Sequence, residues 1–353
     1  MTFAPLCKIM DLLKTPFNQN HSQFKELYKN NNKDYCIEAS RSSWSLYFIV
    51  KAFIDIKGYS PTILVPFYFC NSSLDPIRKL NVNLKYYNID DNLEPDYKKL
   101  ASLVQEEKCD IFILVHYFGF LSNINDAKEF VQEFDLLFIE DCAHLIKPIG
   151  MVGRYSDFQI YSLYKHFAIP DGAFLIISSK HKEYNNNIES LISNEKQLPF
   201  LSLLKWIVKK IILNILDKCK LSGKINKLKF SNFDVLYYPS INYEYKCISS
   251  FSLKIVDKNL LNETIKNKNK NFNNLLNIKK ELVFIKNEGI PYMLMLKFKN
   301  ETLSKYMYNN LNNNGMPTTT WPDLIKSDEI PKDILTLRKS TVFLQLHMSG
   351  YQL

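Results

Sequence analysis

Apolar and polar positions change their period along the chain. From about residue 35 to 180, short apolar runs alternate with stretches of helical spacing. Ser42 and Ser43 precede Trp44, Leu46, Tyr47, Ile49, Val50 and Phe53, which fall on the face of one helix. The runs at 62–67, 82–88, 110–116, 136–139, 158–162 and 173–178 predict strands, with helices at 74–80, 96–107 and 125–134 between them. Strands that read as continuous apolar runs belong to parallel sheets covered on both faces. Their alternation with helices predicts an α/β domain around a mostly parallel sheet.

Past residue 181 the pattern shifts. Asn185–Asn187 reads as a polar break. Pro199–Cys219 reads as a strongly apolar helix carrying lysines, with proline tolerated at the first helical position. Such a helix either packs in a core or interface with its lysines snorkelling to water, or lies on a membrane surface. From 241 onward, an Asn- and Lys-rich helix over 260–281, a strand over 292–298 and a helix over 303–312 predict a smaller α+β domain. The expected division is therefore a large α/β domain over 1–240 and a small one over 241–353.

Composition narrows the classes. The 353 residues are 46% hydrophobic and 23% charged, values of a globular chain long enough for two domains. Only nine are glycine, which excludes collagen-like and Gly-rich repeat classes. The net charge of +9 comes from 45 basic and 36 acidic residues. The arginines are Arg41, Arg78, Arg154 and Arg338, and the rest of the basic charge is scattered lysine. That pattern argues solvated surface, not specific nucleic-acid binding, and leaves weak attraction to an anionic membrane surface open. Seven cysteines without a CxxC pair predict no metal site and reduced thiols, as in the cytoplasm. No uncharged apolar run approaches the ~20 residues that span a bilayer.

Four short segments could carry chemistry. Asp141 ends the strand at 136–139, on the edge where open α/β sheets bind ligands; the plainer reading is a solvated strand end or helix cap. Lys165 stands among aromatics after the strand ending at Ser162, where desolvation suits a lysine to covalent catalysis; a snorkelling lysine is the commoner case. Ser42 and Ser43 open a helix and could cradle a phosphate or simply cap it. His116 ends a strand on the same rim as Asp141. With the aromatic turn Pro66–Cys70, these segments together supply what pyridoxal phosphate (PLP) needs. That is a lysine to bond it, a carboxylate to hold the ring nitrogen protonated, a helix start for its phosphate and a flat side chain over one face.

On segments 40–46, 64–77, 113–119, 139–144 and 160–173, the chain resembles the DegT/DnrJ family of fold type I aminotransferases, which act on nucleotide-linked sugars. The resemblance implies PLP as cofactor, a homodimer, glutamate as amino donor and a nucleotide-linked keto sugar as acceptor. It implies that Lys165 bonds the cofactor and moves protons, and that Asp141 pairs with the pyridine nitrogen. His144 would lie near the phenolic oxygen. Ser42, Ser43 and Ser162 would hold the phosphate, and Phe69 or Cys70 would cover the ring. Tyr164 stands where a subgroup of the family has arginine, Ala173 where it has a second glycine, and Ser40-Arg41 where it has Gly-Thr or Gly-Arg. Two other readings stay open: a PLP enzyme of different chemistry, such as a dehydratase, and a non-catalytic relative that serves as a binding module.

Overall fold

The computed structural model describes residues 21–218, 233, 245–276, 283–284, 288–314, 316, 318–325 and 330–346. Seven strands form its main sheet: β1 (Tyr35–Ala39), β2 (Thr62–Pro66), β3 (Asn83–Tyr87), β4 (Ile111–Val115), β5 (Leu137–Cys142), β6 (Phe158–Ser162) and β7 (Ala173–Ile177). Their order is β1-β7-β6-β5-β4-β2-β3. Strands β6, β5, β4, β2 and β3 run parallel. β7 runs antiparallel to both of its neighbours. Every residue of β4, β6 and β7 is buried, which is why those segments read as unbroken apolar runs.

Helix α1 (Ser42–Lys57) crosses β6 and β7 with Phe48, Ile49, Val50 and Ala52 fully buried. α2 (Tyr97–Glu106) and α3 (Ile124–Glu133) follow β3 and β4, each opened by a side chain that caps it, Asp96 and Asn123. α4 (Lys182–Ser193) packs against α1. This corrects the polar break expected at 185–187, since all three asparagines are helical. Tyr184 and Ile188 bury one face there, and tertiary packing overrides the weak helix propensity of Asn.

Helix α5 (Phe200–Lys218) matches the apolar segment at 199–219, but Phe200, Leu201, Leu204, Val208, Ile212 and Ile215 are exposed along it. Beyond it lie α6 (Lys258–Leu276), α7 (Glu301–Asn313), α8 (Lys332–Lys339) and a second, antiparallel sheet. That sheet has β10 (Thr341–Gln345) between β8 (Met293–Lys297) and β9 (Thr318–Thr319). The expected boundary at 240/241 and the end of the helix expected over 260–281 lie outside the described residues.

Register decides which residues share an edge. Val115 stands opposite Asp141, Asp141 opposite Ile160, and Ser162 opposite Ala173, which also faces Ala39. The carboxyl ends of β2, β4, β5 and β6, the start of β7 and the end of β1 therefore fall on one rim. The turn Pro66–Cys70, His116, Asp141, Ser162 and the start of α1 all emerge there.

Candidate active site

The rim closes around one pocket lined by Ser42, Ser43, Phe69, Cys70, Asp141, His144 and Lys165. Seven of the eight expected site residues thus face one space, although they come from four separate stretches of chain. Ser162 is the exception. It is fully buried at the end of β6 and does not line the pocket, and its Oγ has no hydrogen-bond partner.

Asp141 Oδ1 accepts the N–H of Ala143 at 2.9 Å, which leaves Oδ2 for the pocket. Burial pushes its carboxyl up, while Lys165 and the Ala143 N–H pull it back toward ionisation. A cationic ring nitrogen at Oδ2 would add to that pull. At the start of α1 no side chain caps the helix, so the plain capping role for Ser42 and Ser43 is not what forms. Their hydroxyls and the unpaired N–H groups of the first turn are left for an anion. Phe69 and Cys70 both reach the pocket. The Cys70 thiol donates to Asp323 Oδ1 at 3.1 Å, and burial pushes its pKa up, so it stays a thiol.

His144 is clamped between two rings, Phe118 (centroids 5.6 Å apart) and Tyr292 (4.9 Å), each within 18° of parallel. The Phe118 N–H donates to its Nδ1 at 3.3 Å, so Nε2 carries the proton. Burial drives its pKa well down, and Lys165 and Lys268 add to the effect. The imidazole is a neutral donor.

His116, on the same rim, is spent on structure. Its Nδ1 accepts the Ser122 N–H at 3.1 Å, and its Nε2 donates to Glu140 Oε2 at 2.7 Å. Glu140 Oε1 takes the Gly153 N–H at 2.8 Å. Cys142 lies close enough to complete a metal-like triad, but these bonds already use the His and Glu atoms that would ligate.

The turn beyond Lys165 is held from three sides. Asp171 is buried and accepts from the Ser249 N–H, the Ser249 hydroxyl and the Ser252 hydroxyl. Gly172 takes φ +138°, and a Cβ there would meet Ile248 at 3.1 Å and Ile169 at 3.2 Å, so glycine is required. Ala173 already lies in regular β7, paired with both Ala39 and Ser162, so the missing second glycine leaves the turn intact. Arg41 and Tyr164, two of the departures from the family pattern, meet directly: the guanidinium lies 4.0 Å over the tyrosine ring.

Sequence reasoning missed Ser73, Ile160 and Trp321 in the lining. Trp321 comes from the C-terminal part and meets His144 edge-on at 5.2 Å. The Trp-Pro pair signals a turn but not which pocket the turn closes. Gly119, with φ +94°, lets that part approach: a Cβ would lie 2.1 Å from the Ile290 carbonyl.

The residues fit PLP on their own chemistry. The pocket has a lysine, a carboxylate oxygen without a partner on an adjacent strand end, two free hydroxyls at a helix start and a neutral imidazole donor. Close by, Ser162 adds a buried hydroxyl without a partner.

Solved structures match over nearly the whole chain. A putative sugar aminotransferase, Spr1654 from Streptococcus pneumoniae in its PLP form, is 13% identical with a TM-score of 0.66, covering 100% of this chain and 95% of its own. Helicobacter pylori PseC, an aminotransferase involved in the biosynthesis of pseudoaminic acid, is 10% identical with a TM-score of 0.66, covering 97% and 92%. The aminotransferase TlmJ from Streptoalloteichus hindustanus is 11% identical with a TM-score of 0.68, covering 98% and 92%. At these identities the likeness is one of fold, the fold type I architecture expected from the sequence. No curated protein matches the chain. Residues 17–191 match the DegT/DnrJ/EryC1/StrS aminotransferase family. That segment holds every strand of the main sheet and every lining residue but Trp321, and it places the chain in this family of PLP-dependent aminotransferases.

Proposed function

We propose that the chain moves an amino group from glutamate to the keto group of a nucleotide-linked sugar. The observation that carries the reading is the convergence of Lys165, Asp141 and the uncapped start of α1 on one pocket. When bound, PLP supplies an electron sink beside the carbon that exchanges its proton.

The roles proposed for the chain's own residues rest on polar atoms in the pocket or beside it. Lys165 Nζ would hold the cofactor covalently and, once released, would take and return the substrate proton. Asp141 Oδ2 would keep the ring nitrogen protonated. The hydroxyls of Ser42 and Ser43, the first N–H groups of α1 and Ser162 Oγ would hold the phosphate. His144 Nε2 would donate to the phenolic oxygen. Phe69 or Cys70 would cover the ring.

We read the chain as a large cofactor domain over 1–240 and a small domain over 241–353, working as a cytoplasmic homodimer. The exposed apolar stripe of α5 supports self-association, because a contiguous patch of this kind marks an interaction surface. No helix among the described residues is long and apolar enough to cross a membrane.

Glutamate added to the PLP-loaded protein should bleach the cofactor's visible band and release 2-oxoglutarate. A nucleotide-linked keto sugar should then restore the band. A protein whose band ignores glutamate and every amino donor is not a transaminase, and the dehydratase or binding-module reading would take its place.

A further inference from the structure

The wall behind His144 holds a cation that the proposed reaction does not use. Lys268, in the middle of α6, is only 2% exposed. Its Nζ lies 3.0 Å from His166 Nδ1 and 4.8 Å from the centre of the Tyr292 ring. Among the described residues no carboxylate pairs with it, and a buried ammonium without a counter-ion is costly. The two partners it does have are an imidazole lone pair and a ring face.

Those partners lead directly to the pocket. His166 follows Lys165 in the chain, and its ring lies 5.1 Å from Tyr292. Tyr292 stacks on His144, which lines the pocket. Lys268 thus stands at one end of a packed set, with Lys165 beside its near member and His144 as its far one. Because Nδ1 of His166 accepts, its Nε2 carries the ring proton. While Lys268 is protonated, this bond from α6 sets the tautomer of the residue next to Lys165, and the Ala143 backbone acts on the same ring.

We propose that Lys268 is a positioning residue for this pocket: its ammonium orients His166 and sets the charge under which His144 and Lys165 work. The titratable groups that meet it or feel its charge are His166 from the turn after β6, His144 from the segment after β5 and Tyr292 from the approach to β8; Lys165 precedes His166 in the same turn. Glu263, Lys266 and Lys270 of its own helix are exposed to solvent. Burial pushes Lys268 down to about 7. Burial also drives His166 well below the usual histidine range, with Lys268 the largest of the charges adding to it. Near neutral pH it is therefore the lysine, and neither histidine, that gains or loses a proton. Its meaning for catalysis rests on the reading of Lys165 and His144 given above; its titration does not.

The test follows lysine Cε and histidine Cε1 NMR signals of the full chain against pH, without cofactor and with it. One lysine should titrate near pH 7, and the His144 and His166 signals should move with the same midpoint. Lys268→Met should abolish that midpoint and let His166 take up a proton closer to the free-imidazole value of about 6.5. Lys268→Arg keeps a permanent cation, so both histidine signals should stay flat across neutral pH. With cofactor bound, the wild-type visible band should show an inflection at the same pH that both variants lack. The wild-type titration needs no variant to fold. If every lysine titrates near about 10.4, or if Lys268→Met leaves the histidine signals unchanged, the proposal is overturned. A flat visible band beside a titrating Lys268 would overturn it as well, because the lysine's charge would then not reach the cofactor on Lys165; no visible band at all after PLP is added would instead remove the proposed function of the pocket and leave the lysine's titration standing.

Discussion

The N–H of Gly172 donates to the carbonyl of Ser40 at 2.7 Å. This one bond ties the turn beyond Lys165 to the residue that leads into α1, across 132 positions of sequence. Ser40 in turn donates its own N–H to the Lys246 carbonyl at 2.7 Å. The lysine turn, the phosphate-type helix start and the C-terminal part of the chain are therefore locked together at the rim. A pocket assembled from distant segments needs such ties to hold its geometry.

Gly172→Ala tests the tie. At φ +138° a Cβ is strained and pressed against Ile248 and Ile169, at a cost of about 1–3 kcal/mol. Thermal unfolding should shift down accordingly, and PLP should bind more weakly. Ala173→Gly, in the regular strand next door, should cost only about 0.5–1 kcal/mol and leave PLP affinity unchanged.

Asp141→Asn should leave the fold intact and retain much of the bound cofactor. Losing one charge-assisted hydrogen bond costs about 1.5–3 kcal/mol, so the half-reaction with glutamate should slow roughly 10- to 150-fold, read by stopped-flow absorbance. An unchanged rate would mean that Asp141 is not the partner of the ring.

His116→Ala should behave in the opposite way. It leaves Glu140 and the Ser122 N–H without their buried partner, which costs about 1–3 kcal/mol of stability. The surviving folded protein should bind PLP as tightly as before, because His116 does not line the pocket.

Asp157 should govern acid stability. Burial raises its carboxyl, but the hydrogen bonds from His181, Lys180 and the Phe138 N–H outweigh that and hold it below the usual range. A carboxyl lowered on folding stabilises above its unfolded pKa of about 3.9, and the gain is lost as pH falls through the folded value. Asp157→Asn should lower the melting temperature at neutral pH, and the gap to wild type should close as pH falls below about 4.

The exposed stripe of α5 predicts a particle of twice 41.5 kDa by light scattering. Leu204→Glu with Val208→Glu should leave monomer. Wild-type protein that stays monomeric and sediments with anionic liposomes would assign the stripe to a membrane surface instead.

The strands of the main sheet were largely legible, because parallel strands buried on both faces leave unbroken apolar runs between helices. β1 was not: Tyr35–Ala39 alternates Cys36 and Glu38 with its apolar positions, is only five residues long and sits at the sheet edge. β9, β10 and α8 are short, and their faces are buried by tertiary contacts that leave little periodicity. In the pocket, Lys165, Asp141, Ser42 and Ser43 were legible because each stands where a strand ends or a helix starts. Trp321 was not, because it reaches the rim only through the fold of the C-terminal part, which also brings Tyr292 and Lys268 up behind His144. Arg41 over Tyr164 shows the same limit from the other side. Read separately they are two departures from a pattern, and only their contact makes them one arrangement.

Every proposed step depends on Lys165 holding the cofactor. Borohydride reduction of the PLP-loaded protein, followed by proteolysis and mass spectrometry, tests it most directly. A single pyridoxyl adduct should appear on Lys165 and none in Lys165→Ala. An adduct on another lysine, or a PLP-loaded protein that reduction leaves unmodified, would contradict it.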